Sequence, residues 1–160
     1  MALHVMDEAN HCLGCKVPRC QQGCPIHTNI PEVIRLLNER KNQIYAVRGN
    51  CEAEVDQMVL DFPVMADYCI LAIEGKTMYA THGHIYNKDN LPPMMDGDIL
   101  IHGHTHVLKA ENMGNYILLN PGSVSIPKEG NPPTYAILEN GIFTCLLYTS
   151  PSPRDRQKYR

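Results

Sequence analysis

Two short histidine groups constrain this chain more than anything else in it. Five of its eight histidines fall between His82 and His106, four of them in Thr81-His82-Gly83-His84 and Gly103-His104-Thr105-His106 and the fifth, His102, directly before the second group. Each group follows a run that reads as a buried strand, residues 77–80 before the first and 98–101 before the second. Open α/β sheets gather their sites at strand C-termini, and a glycine within each group lets the backbone bend sharply enough to present two side chains from one turn. Imidazole is the commonest neutral metal ligand. A lone histidine is more often a surface or hydrogen-bonded core residue, but five in so short a span point to a metal centre. A third strand end lies upstream, where residues 43–47 run into Arg48-Gly49-Asn50-Cys51. The Asn50 side-chain oxygen there is a competent ligand for a divalent ion.

The remaining pattern is alternating helix and strand. Residues 31–40 read as an amphipathic helix with proline at its start, and 52–60 as a short helix with Val55, Met58 and Val59 inward. A strand over 65–73 leads into a Glu74-Gly75-Lys76 hairpin turn, and further strands are expected at 78–81, 99–101, 116–119, 135–138 and 142–144. Asn120-Pro121-Gly122-Ser123 closes one of them with a turn.

The order V-R-G-N-C, T-H-G-H, G-H-T-H and N-P-G-S-V-S-I-P-K, over roughly residues 33–144, resembles the calcineurin-like metallophosphoesterases, specifically the small bacterial manganese-dependent phosphodiesterases. The resemblance implies an α/β fold, a two-sheet α/β sandwich present here in part. It further implies that Asn50, His82 and His104 hold one ion and His106 serves the other, with Mn²⁺ or another divalent metal as cofactor. The implied reaction is in-line hydrolysis of a small phosphodiester at a two-metal site. Many relatives place a histidine after the G-N asparagine to protonate the leaving group. Here that position is Cys51, a poorer proton donor, which leaves His84 as the other candidate for this catalytic role. Asn120 and Ser123 are expected to shape the phosphate pocket, and His102 to pack near its strand end. The family's D-x-H strand end and bridging G-D aspartate do not occur ahead of Asn50. The 160 residues are therefore expected to hydrolyse weakly or not at all, and the sheet strands that would pair with the absent segments to show unpaired edges and an exposed face.

The chain opens on different chemistry, with Cys12, Cys15, Cys20 and Cys24-Pro25 in close succession. Thiolates at this density finishing in C-P suit iron–sulfur ligation, with a four-cysteine zinc site or two disulfides as alternatives. Residues 6–37 resemble the N-terminal domain of the glutamate synthase small subunit, which implies a 4Fe–4S cluster and, as the alternative function, electron transfer. Cys51, Cys69 and Cys145 lack the spacing of the second cysteine group that domain needs, and no G-x-G-x-x-G fingerprint follows. The chain thus reads as a chimera: a cysteine-rich fragment over 1–31, a partial phosphoesterase domain over 32–144, and a Ser/Pro/Arg-rich tail over 145–160 that resembles translated sequencing adaptor.

Composition excludes other classes. The formal net charge of −3 leaves no nucleic-acid or membrane-surface footprint, and no apolar run approaches the ~20 residues a membrane span needs. No secretory signal opens the sequence, and seven cysteines, four of them clustered, suit a reducing interior, so the bacterial cytoplasm is the expected location. Any self-association is expected to give a homo-oligomer.

Overall fold

The computed structural model describes residues 15–24 and 28–148; Cys12 and the tail from residue 149 onward lie outside the described residues. Two compact units divide the chain, Met1–Cys69 and Ile70–Arg160.

Among the described residues the first unit holds α1 (Arg19–Gly23), α2 (Ile30–Glu39) and α3 (Glu54–Val59). Pro31 sits in the first turn of α2, where its missing N–H costs nothing, and Glu32 places negative charge at the same end. At the start of α3 the Asp56 carboxylate accepts the Ala53 N–H at 2.7 Å. Val55, expected inward, is instead 49% exposed. The inward stripe of so short a helix is occupied by Gln57, whose amide donates to Leu60 O and Phe62 O and accepts Val64 N–H, pinning the chain that follows. Residues 43–47 are not the expected strand. Lys41–Gln43 form a 3₁₀ turn, Ile44 after it is extended, and residues 44–47 join no ladder, leaving Tyr45 exposed. An apolar run with extended dihedrals becomes a strand only where a partner accepts its backbone bonds.

The second unit is built on β1 (Tyr68–Ile73), β2 (Lys76–Thr81), β3 (Ile99–His102), β4 (Leu108–Asn112), β5 (Ile117–Pro121), β6 (Thr134–Glu139) and β7 (Ile142–Leu147), with β1 beginning at the unit boundary. Five strands form one sheet in the order β1-β2-β3-β5-β4, and β6 pairs with β7 in a second. The β1–β2 connection is the expected tight turn, with Glu74 at φ +52° and Gly75 at +76°, the two positive values that match the twist of a hairpin. β2, β3 and β5 run parallel, Ala80 opposite Ile101 and Ile101 opposite Leu119. β4 returns antiparallel along β5. β7 continues past the expected end at residue 144, with Cys145 opposite Ala136.

Alternation decides which sheet face meets which neighbour. Met78, Ile99 and Leu119 form a buried cluster against Leu138 and Phe143 of the β6–β7 pair, so a two-sheet α/β sandwich is what the strands build. Tyr79, Leu100 and Leu118 lie on the other face, covered in part by the segment after β2, where the Tyr79 hydroxyl donates to Pro93 O and the Thr81 hydroxyl to Tyr86 O. The outward face of β6–β7 leaves Tyr135, Ile137 and Ile142 exposed. Leu100 has no exposed surface, so Leu100→Ala should cost about 3 kcal/mol, read as a lower midpoint of urea unfolding at unchanged slope. Because three neighbouring strands are parallel, the turns after β2, β3 and β5 emerge at one edge of the sheet.

Candidate metal centre

The turn after β2 is stitched to the turn after β3 by one backbone bond, Gly103 N–H to His82 O at 3.0 Å. Gly83 takes φ +109°, and a Cβ there would stand 3.0 Å from His102 Nδ1, 3.2 Å from Gly103 O and 3.2 Å from His104 Cβ. Only glycine allows this approach, and the approach brings the two histidine groups together. The ring centroids of His82 and His104 are 4.9 Å apart, those of His82 and His84 5.0 Å, and those of His84 and His104 6.4 Å. The Nδ1 atoms of His82 and His84 face each other at 3.1 Å.

In the second turn His104 and His106 both adopt the left-handed region, φ +64° and +61°, a conformation that costs a non-glycine residue energy and persists only where its surroundings fix it. Here they are fixed. Asn120, 1% exposed at the end of β5, donates from Nδ2 to Gly103 O and to Thr105 Oγ1, each at 3.0 Å, while its Oδ1 accepts Gly122 N–H. The His106 Nδ1–H donates to Ile126 O at 2.8 Å. That bond orients the ring toward the 121–128 loop, and no ring contact with the His82–His84–His104 cluster accompanies it among the described residues. Ser123, expected at the phosphate pocket, uses its hydroxyl to accept Ile126 N–H at 3.0 Å.

His102 is buried, its Nδ1–H donating to Gly103 O at 3.1 Å. Burial holds its pKa below the usual imidazole range; the bond to Gly103 O opposes that, and the nearby His104 and Lys109 reinforce it. The unfolded chain thus takes up this proton at a higher pH than the folded one. The His102 contribution to stability is complete above the unfolded value of about 6.5 and is lost as pH falls from there through the lower folded value. His102→Gln keeps a donor but cannot titrate, and should flatten the fall in melting temperature between about pH 7.5 and 5.5.

Beside the cluster lies a cavity of about 290 Å³, lined by His84, His104 and Asn120 together with Asn87, Lys88 and Lys109. Asn120 lines this cavity with its amide committed to the turn. Asn50 and Cys51 belong to the first unit, the Asn50 amide donating toward Cys51 Sγ at 3.5 Å. Among the described cysteines of the N-terminal run, Cys15 and Cys20 are exposed and Cys24 half-buried. Among the described residues no group of three or more His, Cys, Asp or Glu side chains is placed to hold a metal ion, and no helix is long and apolar enough to cross a membrane.

Comparison with known proteins gives the same account of the region from α2 onward. The family model described as the calcineurin-like phosphoesterase superfamily domain matches residues 27–141, starting after the cysteine run. Phosphodiesterase YfcE of Escherichia coli is 43% identical over 121 residues, covering 76% of this chain. The protein named probable metallophosphoesterase YsnB of Bacillus subtilis is 28% identical over 111 residues, 64% of this chain and 61% of its own length. The solved structure of the E. coli phosphoesterase superposes with a TM-score of 0.71, covering 74% of this chain and 66% of that one. The chain spans 66% of the length of its E. coli relative. A sandwich whose parallel strands deliver histidine turns to one edge, and a family match across most of the sequence, lead to one assignment: the chain belongs to the calcineurin-like phosphoesterase superfamily.

Proposed function

We propose that this chain carries the histidine half of a metal-dependent phosphodiesterase centre, acting on small phosphodiesters with Mn²⁺ or another divalent ion. The observation that supports it most is the meeting of three imidazoles from two adjacent strand ends, His82, His84 and His104, beside a cavity with two lysines on its wall. Neutral imidazoles suit a borderline divalent ion, and the sites His82 and His104 occupy suit ligands. Asn50 and His106 are the further donors that the motif order proposes. When bound, the ion supplies Lewis acidity, polarising phosphoryl oxygens and lowering the pKa of water.

The chain's own residues do the positioning. Gly83 and Gly103 bring the two turns into contact, and Asn120 locks the second turn by holding Gly103 O and Thr105 Oγ1. His84 turns Nδ1 to His82 and keeps Nε2 for proton delivery to the leaving group, the role we assign it ahead of Cys51. We infer a home in the bacterial cytoplasm from cysteine usage. The 4Fe–4S assignment of the cysteine run, the joining of two fragments and the adaptor-like tail rest on sequence alone. Visible charge-transfer absorbance of the purified chain tests the first, and genomic DNA across codons 25 to 45 tests the second.

The functional reading is tested by assaying an aryl phosphodiester with Mn²⁺, using the 160-residue chain beside a version in which D-x-H and G-D segments precede Asn50. The longer version should turn over several powers of ten faster, since activation of water and charge stabilisation depend on the paired ions. Absence of metal-dependent hydrolysis in the longer version would overturn the reading.

A further inference from the structure

We propose that the T-H-G-H turn is itself a chelate, in which His84 joins His82 as a ligand through Nδ1. The second unit would then hold a borderline divalent ion of the Zn²⁺, Co²⁺ or Ni²⁺ type with imidazole nitrogens of its own. The inference rests on the metal-centre reading above and adds a ligand to it.

The geometry that carries it is the 3.1 Å separation of the two Nδ1 atoms. Zinc-like ions bind imidazole nitrogen at about 2.0–2.1 Å, so two nitrogens on one ion stand about 2.9 Å apart at a right angle and about 3.4 Å apart at the tetrahedral angle. The observed value falls between them. Two lone pairs this close repel unless something positive lies between, either a proton, giving an N–H···N bond, or a cation. The backbone is built for this bite. Gly83 at φ +109° places His84 back against His82, and a side chain at position 83 would collide with His102 and His104. Thr81 anchors the strand end through its hydroxyl on Tyr86 O, and the Asn87 amide donates to Gly83 O at 3.0 Å, so the turn is held from both sides.

The pair is a bite rather than a finished cage. His104, with its ring centroid 4.9 Å from that of His82, stands near enough to supply a third nitrogen by side-chain rotation. His106 is tied to Ile126 O through Nδ1 and contributes nothing to this ion. Ligation through Nδ1 would leave the His84 Nε2–H outside the bite, which is compatible with proton delivery from that atom. A donor set rich in imidazole also follows the usual order of affinity, binding Co²⁺, Ni²⁺ and Zn²⁺ more tightly than Mn²⁺.

The test is titration of the full chain with Co²⁺ in a background of Cys12→Ser, Cys15→Ser, Cys20→Ser and Cys24→Ser, which keeps thiolates from taking the ion, following the visible d–d absorbance in that background alone, with His84→Ala and with Lys76→Ala. The background chain should bind one ion. His84→Ala should weaken apparent affinity about tenfold or more, as loss of one chelating ligand does, while Lys76→Ala, at the exposed start of β2, stays within about twofold. Nitrogen NMR of the Zn²⁺-loaded wild-type chain reads the same question without a substitution, and His84 Nδ1 should lose its proton and shift as a coordinated nitrogen. Co²⁺ binding that is insensitive to His84→Ala, or a His84 Nδ1 that keeps its proton in the Zn²⁺-loaded chain, would overturn the chelate and leave the functional reading standing. Failure of the cysteine-free background to bind Co²⁺ at all would overturn both.

Discussion

Replacing Asn120 with alanine is expected to destabilise the second unit by about 3 kcal/mol and to disorder the histidine turn after β3. The side chain is 1% exposed and makes three bonds, two donated to Gly103 O and Thr105 Oγ1 and one accepted from Gly122 N–H. Alanine leaves the half-buried Gly103 and Gly122 backbone groups and the exposed Thr105 hydroxyl without this partner and opens a hole where the buried amide stood. It also removes what holds His104 and His106 in the left-handed region, so the backbone there should relax. Urea unfolding reads the stability, and amide hydrogen exchange at residues 103–106 reads the local loosening. A loss below about 1 kcal/mol would mean that water replaces the amide without difficulty.

The second large effect is on chemistry. In the version carrying D-x-H and G-D segments, His82→Ala and His104→Ala should each lower Mn²⁺-dependent turnover of an aryl phosphodiester by about 10³-fold or more. Both should leave the melting temperature in the absence of metal within a few degrees. His82 holds the turn partner Gly103 through its backbone carbonyl, which alanine retains, and His104 projects into the cluster from a turn fixed by other residues. Because the two rings lie 4.9 Å apart, the double variant should lose little more than either single one, as residues acting on a shared ion do.

What could be read in the sequence tracks where local pattern and tertiary demand agree. The parallel strands β2, β3 and β5 were legible because each is a compact apolar run ending in glycine, asparagine or histidine, and their order along the chain carries the site to one edge. β4 was missed. Leu108-Lys109-Ala110-Glu111-Asn112 has neither an apolar run nor β-branched residues, and it is a strand because β5 offers it an antiparallel edge. Residues 43–47 fail in the opposite direction, with strand-like composition but no ladder to join. Val55 was misplaced because the periodicity of a six-residue helix cannot show that Gln57 takes the inward position through three hydrogen bonds.

At the site, residue type identified the histidines, but their grouping needed the fold. T-H-G-H and G-H-T-H look alike as strings. In the structure the first packs two rings against each other, while the second splits them, His104 to the cluster and His106 to Ile126 O. The divergence follows from two successive left-handed histidines around Thr105, which pattern alone does not announce. Asn120 was expected to shape the phosphate pocket; in the structure its amide holds the turn. A buried asparagine at the end of a parallel strand, directly before proline and glycine, is the signal that could have found this.

The most direct test of the central claim, that His82 and His104 are ligands of a divalent ion, is the electron spin resonance signal of free Mn²⁺ during titration with the full chain. Wild type should quench the signal saturably with one loosely held ion per chain, and the His82→Ala/His104→Ala double variant should leave it at the level of buffer. Equal quenching by wild type and the double variant would show that the ion sits elsewhere and would contradict the account.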